Sequence, residues 1–458
     1  MNQPFVRNSP PVSKIVAVRT VLDWVWTFGH RLWTQFRKVL SVTLSYPARH
    51  ILPLVGAMLG VLSVASLAAG DRGIDTNVVY PSGALVQNGG RVINMQTPPS
   101  GITAAVGNGV TDDTGAFQSA YNYIKSQFVA TSGSASYIIY IPNGTYRVTQ
   151  SLIYTGTVVA GDDINNVRLV GQSRAGTIFQ LDSNLAAFHS TTSPAAVINF
   201  QHPSTTFNNI ATQNLCENMT VNTGSGNPGA AAIQFQGANA ALMSNVTINS
   251  NDGGGEYGIW LKIGSVQAYL KDITINGFND AVYSYPSAEN DAAFEHLTCN
   301  NQHVAAISIV GGGVSVRDMV SNQSAYNAPA ILFAQTGGSC VLADSELNAG
   351  ISGTAAVMIT GTEQDFFGRN TMVSGYAAAV EKSGTTAVAG PFISEYCDYP
   401  VTTLFTGQEM VRGLKHPLRR IPRRGAREKG KAIASSFKMR NLNGKDCQNT
   451  CGYQKQSP

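Results

Sequence analysis

A short motif recurs between Cys216 and about Lys382, and such a repeat leaves a chain few folds to adopt. Asn218-Met219-Thr220-Val221-Asn222 lines up with Asn245-Val246-Thr247-Ile248-Asn249 and Asp272-Ile273-Thr274-Ile275-Asn276. His296-Leu297-Thr298-Cys299-Asn300, Asp318-Met319-Val320-Ser321-Asn322 and Asp344-Ser345-Glu346-Leu347-Asn348 continue the series, and Asn370-Thr371-Met372-Val373-Ser374 is a weaker copy. Successive copies start 27, 27, 24, 22, 26 and 26 residues apart. A second register threads between them: Ala232-Ile233, Gly258-Ile259, Ala281-Val282, Ala306-Ile307, Ala330-Ile331, Ala356-Val357 and Ala379-Val380. Two short apolar strands in every 22 to 27 residues mark a solenoid.

The residue types say which solenoid. Helical repeats need longer segments of 3.6-residue period, whereas these are alternating stretches bounded by Gly, Asn and Ser. A strand that returns to the same register each period, always in the same direction, makes an all-β parallel β-helix. Position five of the first register is Asn at 222, 249, 276, 300, 322 and 348. Asn tolerates the left-handed turn conformation, and its amide bonds up and down a stack of identical neighbours. The series therefore predicts an internal asparagine ladder at a coil corner, not a set of catalytic amides.

Charge is distributed unevenly along the 458 residues. Lys and Arg outnumber Asp and Glu 7 to 1 over residues 1–70 and 13 to 2 over 411–458, but are outnumbered 11 to 24 over 71–410. An acidic body with basic ends lacks the footprint of a nucleic-acid-binding domain. Cys299 falls at an inward strand position, where a buried free thiol is the plain expectation. Cys447 and Cys451 have no second pair or clustered His beside them, so no metal site follows. No cofactor is implied.

Four segments follow from these shifts. Residues 1–50 are a basic N-terminal extension. Residues 51–70 carry no charge and are long enough for a signal peptide's apolar core or one membrane span. The basic residues before them, from Arg7 to Arg49, would keep the N-terminus cytoplasmic, so residues 71–410 are expected outside the cytoplasm: secreted, periplasmic or anchored through 51–70. Residues 411–458 form a basic, solvated tail without strand repeats. If its Arg pairs (419–420 and 423–424) are AGA codons, a one-base shift reads Glu-Glu at both, so an out-of-register product is a second reading of the tail.

Within the body, Gly107-Asn108-Gly109-Val110-Thr111-Asp112-Asp113-Thr114 precedes an amphipathic run from Ala116 to Ile124. Asp and Thr there are helix N-cap chemistry, because their side-chain oxygens accept from unpaired N–H groups. Asp112 and Asp113 thus have a structural role before a catalytic one. A strand at Tyr137–Ile141 follows, then the turn Pro142-Asn143-Gly144, a strand from Thr145, and Asn166-Val167-Arg168-Leu169-Val170-Gly171, which lies two coil lengths before Asn218. This order resembles the opening of the pectate-lyase-like right-handed β-helix superfamily, and the resemblance covers about residues 75–410. It implies a single right-handed parallel β-helix whose N-terminal end is capped by a helix. A narrower resemblance is to family 55 glycoside hydrolases, exo-acting β-1,3-glucanases with two tandem β-helices. Ile233-Gln234-Phe235-Gln236 through Asn245 is similar to the part of their first helix that holds a water-positioning glutamine, and Gly390 to Phe405 to its close. In that family the general acid is a Glu of the second helix, and no matching position exists here.

Strand alternation selects the outward residues. Ile233, Ile259, Val282 and Ile307 point inward, as do Phe235, Leu261, Ser284 and Ile309. Gln234, Gln236, Trp260, Lys262, Tyr283 and Tyr285 point outward on three consecutive coils. Coils stack about 4.8 Å apart, so these six form one patch of about 10 Å by 7 Å. Aromatic faces stack on sugar rings while amides fix hydroxyls; the plain alternative is a patch covered by a loop or a second domain. Glycoside hydrolysis needs two carboxyl groups at about 5–5.5 Å or 6.5–9.5 Å. Asp252 and Glu256 lie in the corner leading to Trp260, and Asp280 enters the Tyr283 strand one coil on. The sequence thus points to a carbohydrate-active protein, most like the first half of an inverting β-glucan hydrolase. On that reading Gln236, Asp252, Glu256 and Asp280 do chemistry, and Gln234, Trp260, Lys262, Tyr283 and Tyr285 bind the polysaccharide. The alternatives are a non-catalytic glycan-binding or adhesin-like β-helix, or a pectin-degrading enzyme.

Overall fold

The computed structural model describes residues 75–398, apart from 76, 87–89, 131–136, 156, 160–161, 165–166, 202–212, 238–240, 263–267, 286–290, 336, 352 and 362–363. The extension 1–50, the apolar segment 51–70 and the tail 411–458 lie outside the described residues. Among the described residues no helix is long and apolar enough to cross a membrane.

Two sheets wind together into a right-handed β-solenoid. One holds 17 strands and the other 10. In the smaller sheet Leu152–Thr155, Ala195–Gln201, Ala230–Gln234, Tyr257–Leu261, Asp280–Ser284, Ala305–Ile309, Ile331–Phe333, Ala355–Ile359 and Ala378–Lys382 pair in parallel, each with the next. In the larger sheet Leu215–Asn222, Ala241–Asn249, Ala268–Asn276 and Asp291–Asn300 do the same, in the register that the repeat predicts: Val221, Ile248, Ile275 and Cys299 stack in one column. Antiparallel strands end this run, Thr385–Val388 on the smaller sheet and Phe392–Cys397 on the larger.

Each long strand bends at position one of the motif. Asn218, Asn245, Asp272, His296, Asp318, Asp344 and Asn370 all have φ between 50° and 57°. Asn and Asp enter this left-handed region more readily than other side chains. His296 is held there by two neighbours, with Nδ1 3.0 Å from Asp272 Oδ1 and Nε2 3.2 Å from Asp318 Oδ2.

The asparagine ladder is present, but it is neither internal nor the left-handed position. Asn249 donates to Asn222 at 2.8 Å, Asn276 to Asn249 at 2.7 Å, Asn300 to Asn276 at 2.7 Å, Asn322 to Asn300 at 2.9 Å and Asn348 to Asn322 at 3.2 Å. Gln180 accepts from Asn222 at one end, and the Ser374 hydroxyl donates to Asn348 at the other. These residues sit in extended strand and are half-buried on the outer face. Alternation requires this once Val221, Ile248 and Ile275 point inward. One spacing also needs correction. Arg168–Gly171 pairs directly with Leu215–Glu217, so the 47 residues between paired positions make one coil rather than two.

The second register hides an irregularity. Ala231 pairs with Tyr257 and Ile233 with Ile259, while Ala232 and Gly258 are passed over. Ala232 and Ile233 are both fully buried in the core, as are Ala281 and Val282, and Ala306 and Ile307. Two successive inward residues make room only for a small first one. A Cβ on Gly258 would lie 2.5 Å from Ile275 Cγ2 and 2.6 Å from the Ala281 carbonyl oxygen.

The helix Thr114–Ala130 lays Phe117, Ala120, Tyr121, Ile124 and Phe128 on the core, the i, i+3, i+4, i+7 face of an amphipathic helix. Phe117 packs edge-on to Tyr146, and Tyr121 to Tyr154. Asp112 and Asp113 build its entrance. The Asp112 carboxylate accepts from the Thr114 amide at 3.0 Å and hydroxyl at 2.6 Å. The Asp113 carboxylate accepts from the Val106 and Gly107 amides at 2.7 and 3.0 Å, and its carbonyl accepts from the Phe117 amide. Cys216, Cys299 and Cys340 are buried free thiols.

Candidate functional site

The outer face of the smaller sheet carries the candidate residues, and pairing brings them together. Gln234, Trp260, Tyr283 and Ser308 form one column. Ala231, Tyr257, Asp280 and Ala305 form the next. The Phe235 amide donates to the Trp260 carbonyl and the Tyr285 amide to the Leu261 carbonyl, so Gln236, Lys262 and Tyr285 continue the stack. Ile233, Ile259, Val282, Phe235, Leu261, Ser284 and Ile309 are all fully buried behind this face.

Asp280 and Tyr257 face outward because of the irregularity at Gly258 and Ala281. Strict alternation from Ile259 and Val282 would turn both inward. Two consecutive inward residues shift the phase by one, and Tyr257 and Asp280 join the outer face. Tyr257 was therefore missed by periodicity, although it packs on Tyr283 with ring centroids 4.4 Å apart and planes 23° from parallel.

The aromatic faces are graded in exposure. Trp260 is 6% exposed, Gln234 and Gln236 are buried, Tyr283 and Lys262 are half-buried, and Tyr285 is 36% exposed. The exposure expected of a sugar-stacking ring is thus found at Tyr285 and not at Trp260. Lys262 Nζ lies 4.3 Å from the Trp260 ring centroid, a cation–π contact, and the ring of Tyr257 lies 5.5 Å away. The Trp260 Nε1 donor is buried and has no acceptor among the described residues.

Two carboxyl groups meet here in different surroundings. The Asp280 amide donates to the Glu256 carbonyl at 3.1 Å, so the two residues sit on adjacent rungs, one residue out of register. Asp280 is 5% exposed. Burial is the main cause that raises its pKa to about 7; the Ser308 hydroxyl, donating to Oδ1 at 2.6 Å, opposes that, and the nearby Glu256 charge adds to it. Glu256 is also raised, chiefly by burial, with the Asn279 amide donating to Oε2 at 2.8 Å in opposition. Burial lowers Lys262. Burial and then the Asp280 charge raise Tyr283.

Asp252 stands apart from this pair. Its Oδ2 accepts from the Gly226 amide at 2.6 Å, and its Oδ1 from the Gly254 amide at 3.0 Å and the Ser250 hydroxyl at 3.3 Å. Burial raises its pKa, but the amides of Gly226 and Gly254 with the other donors outweigh that and leave it lowered. Its oxygens fix the corner between two coils. Asn279 and Ser308, which set the surroundings of the two carboxyls, carry no sequence signal beyond their place in the stack. No group of three or more His, Cys, Asp or Glu side chains among the described residues is placed to hold a metal ion.

Comparison with known proteins agrees with the architecture. Residues 103–329 match the family described as Rhamnogalacturonase A/epimerase, pectate lyase-like. No curated protein matches the chain. Among solved structures, the chain is similar to ORF18 of Geobacillus virus E2, at 15% identity, a TM-score of 0.32, and 64% of this chain against 60% of that one. The match thus spans less than two thirds of the viral protein. It is also similar to the A-module of a mannuronan C-5 epimerase from Azotobacter vinelandii, at 13% identity and a TM-score of 0.30, with coverages of 62% and 87%. A third is the catalytic domain of a family 87 α-1,3-glucanase, at 12% identity and a TM-score of 0.29, with coverages of 66% and 60%. None of the three is named as a family 55 glycoside hydrolase. Residues 103–329 are thus similar to the pectate-lyase-like family whose model they match, the likeness that the opening strands carry.

Proposed function

We propose that the outer face of the smaller sheet is the catalytic face of a polysaccharide-cleaving glycoside hydrolase, in an exported protein. The observation that carries the reading is the Glu256–Asp280 pair. A glycosidase needs one carboxyl group protonated to release the leaving oxygen and a second ionised to activate water or attack the sugar. Asp280, with its pKa raised to about 7, suits the acid, because a buried carboxyl keeps its proton at the pH where an ordinary one has lost it. Glu256, half-buried and bonded by Asn279, suits the ionised partner. Adjacent rungs lie about 4.8 Å apart and a one-residue offset adds about 3.3 Å along the strand, so the two backbone positions are about 6 Å apart, between the two glycosidase separations, and the side-chain directions select one of them. Gln236 positions water, as the likeness to family 55 enzymes implies. Tyr283, Tyr285 and Lys262 line the sugar-binding side, with Gln234 and Trp260 beneath them, and Asp252 supports the corner.

A second reading, glycan binding without turnover, is favoured by the depth of Asp280 at 5% exposure. The two separate in one experiment. The full chain is incubated with laminarin, polygalacturonate and other glucans, and released reducing ends are measured. Hydrolysis that falls by a factor of about 100 or more in Asp280→Asn and in Glu256→Gln supports the enzyme. Binding without release, weakened by Trp260→Ala, supports the binding module.

A further inference from the structure

We propose that His303 and Tyr326 form a second carbohydrate-binding platform, which holds sugar rings of the same polysaccharide chain away from the reacting bond. The proposal rests on the reading of the Glu256–Asp280 face as glycan-directed. It concerns residues further along the same corner of the solenoid, on coils where no catalytic group is needed.

Sequence position already places the two residues together. His303 follows ladder residue Asn300 by three positions, and Tyr326 follows Asn322 by four, so both occupy the corner that leads into the smaller sheet, one coil apart. Their ring centroids lie 4.0 Å apart with planes at 49°. Both are exposed, Tyr326 at 38%, and Val304, next to His303 in the chain, is exposed as well. The imidazole also reaches back over the Asp252 corner: a Cβ on Gly253 would lie 3.7 Å from His303 Nε2. At the same corner two coils earlier the chain runs Ser250-Asn251-Asp252-Gly253-Gly254, so the aromatic strip is local.

The strip is continuous with the acid pair. Asn279 donates to Glu256. On the next coil the His303 amide donates to the Phe278 carbonyl at 3.0 Å and the Val304 amide to the Asn279 carbonyl at 2.8 Å. Tyr326 lies one coil further, two coils from Asn279, or about 10 Å along the solenoid axis. That is farther than one sugar ring reaches, so the ligand is an oligomer or polymer lying along the axis. Its chemistry is that of a pyranose chain. The apolar ring faces stack on C–H faces, while the phenol hydroxyl and the imidazole nitrogens bond hydroxyl groups.

The test is affinity electrophoresis in native gels cast with laminarin or with polygalacturonate, using the full chain as Asp280→Asn to prevent turnover. Retardation in at least one gel is expected. Tyr326→Ala should weaken the apparent affinity about tenfold, the loss of about one aromatic stack, while Tyr326→Phe keeps most of it. Equal retardation of Tyr326→Ala and its parent, or no retardation in either gel, overturns the proposal. The acid assignment fails separately: it is sunk by an Asp280→Asn protein that still releases sugar, whatever the gels show.

Discussion

Replacing Asp280 by Asn should flatten the dependence of stability on pH. Asp280 has its folded-state pKa raised from 3.8 to about 7, with burial as the chief cause. At pH 5 the folded state keeps a proton that the unfolded aspartate has mostly lost; at pH 8 neither state keeps it. The native state therefore binds more protons through this interval, and stability falls as pH rises. Any such contribution is fully present below pH 3.8 and lost as pH passes through about 7. Between pH 5 and pH 8 the loss amounts to about 3 kcal/mol, because each unit of displacement corresponds to about 1.4 kcal/mol. Asparagine cannot ionise, and its side-chain oxygen still accepts from Ser308, so the variant lacks this slope and keeps the hydrogen bond. Glu256 is also raised and adds a slope of the same sign in both proteins, so the difference between them reports Asp280 and its coupling to Glu256. Thermal melts of wild type and Asp280→Asn at pH 5, 6, 7 and 8, at constant ionic strength, measure it. The variant should gain on wild type with rising pH, by a few degrees over the interval. Melting curves that shift in parallel across all four pH values would refute the reasoning.

Three further outcomes follow from the same geometry. Gly258→Ala should destabilise by about 1–3 kcal/mol in a melt, since its Cβ would meet Ile275 and the Ala281 carbonyl at 2.5 and 2.6 Å; an unchanged melting point would show that the wall between the sheets yields. Asn276→Ala removes a donor to Asn249 and an acceptor for Asn300, and should lose about 1–2 kcal/mol, with faster amide exchange on both neighbouring coils; an effect confined to its own coil would argue against a connected ladder. Asp113→Ala frees the amides of Val106 and Gly107, so their hydrogen exchange should accelerate while that of Ile275 stays slow. Equal exchange in both proteins would remove Asp113 from its place at the helix entrance.

The stacking was legible because a period of two dozen residues with short alternating strands has one geometric solution. Val221, Ile248 and Ile275 fell into the predicted column, and Gln234, Trp260 and Tyr283 into theirs. What failed lies within the coil. Tolerance of φ > 0 points to the ladder Asn as the corner residue, yet position one takes that conformation and position five takes the outward amide. The wider coil between Arg168 and Leu215 has the length of two, because spacing alone does not separate an insertion from a turn. Tyr257 was hidden by a phase shift at Gly258 that no alternation rule contains. Ser308 and Asn279 act through hydrogen bonds across rungs, and such partners are set by stacking rather than by residue type. The burial of Trp260 depends on how Tyr257 and Lys262 fold over it.

The most direct test of Asp280 as the acid in glycan cleavage is the pH–rate profile on a polysaccharide that the chain hydrolyses, in wild type and in Ser308→Ala. Ser308 donates to the Asp280 carboxylate and opposes the rise in its pKa, so losing it raises that pKa further. The account predicts a wild-type rate that declines above about pH 7, and a decline displaced to higher pH in Ser308→Ala. Superimposable alkaline limbs in the two proteins, or no released sugar from any glucan or pectin offered to the wild type, would contradict it.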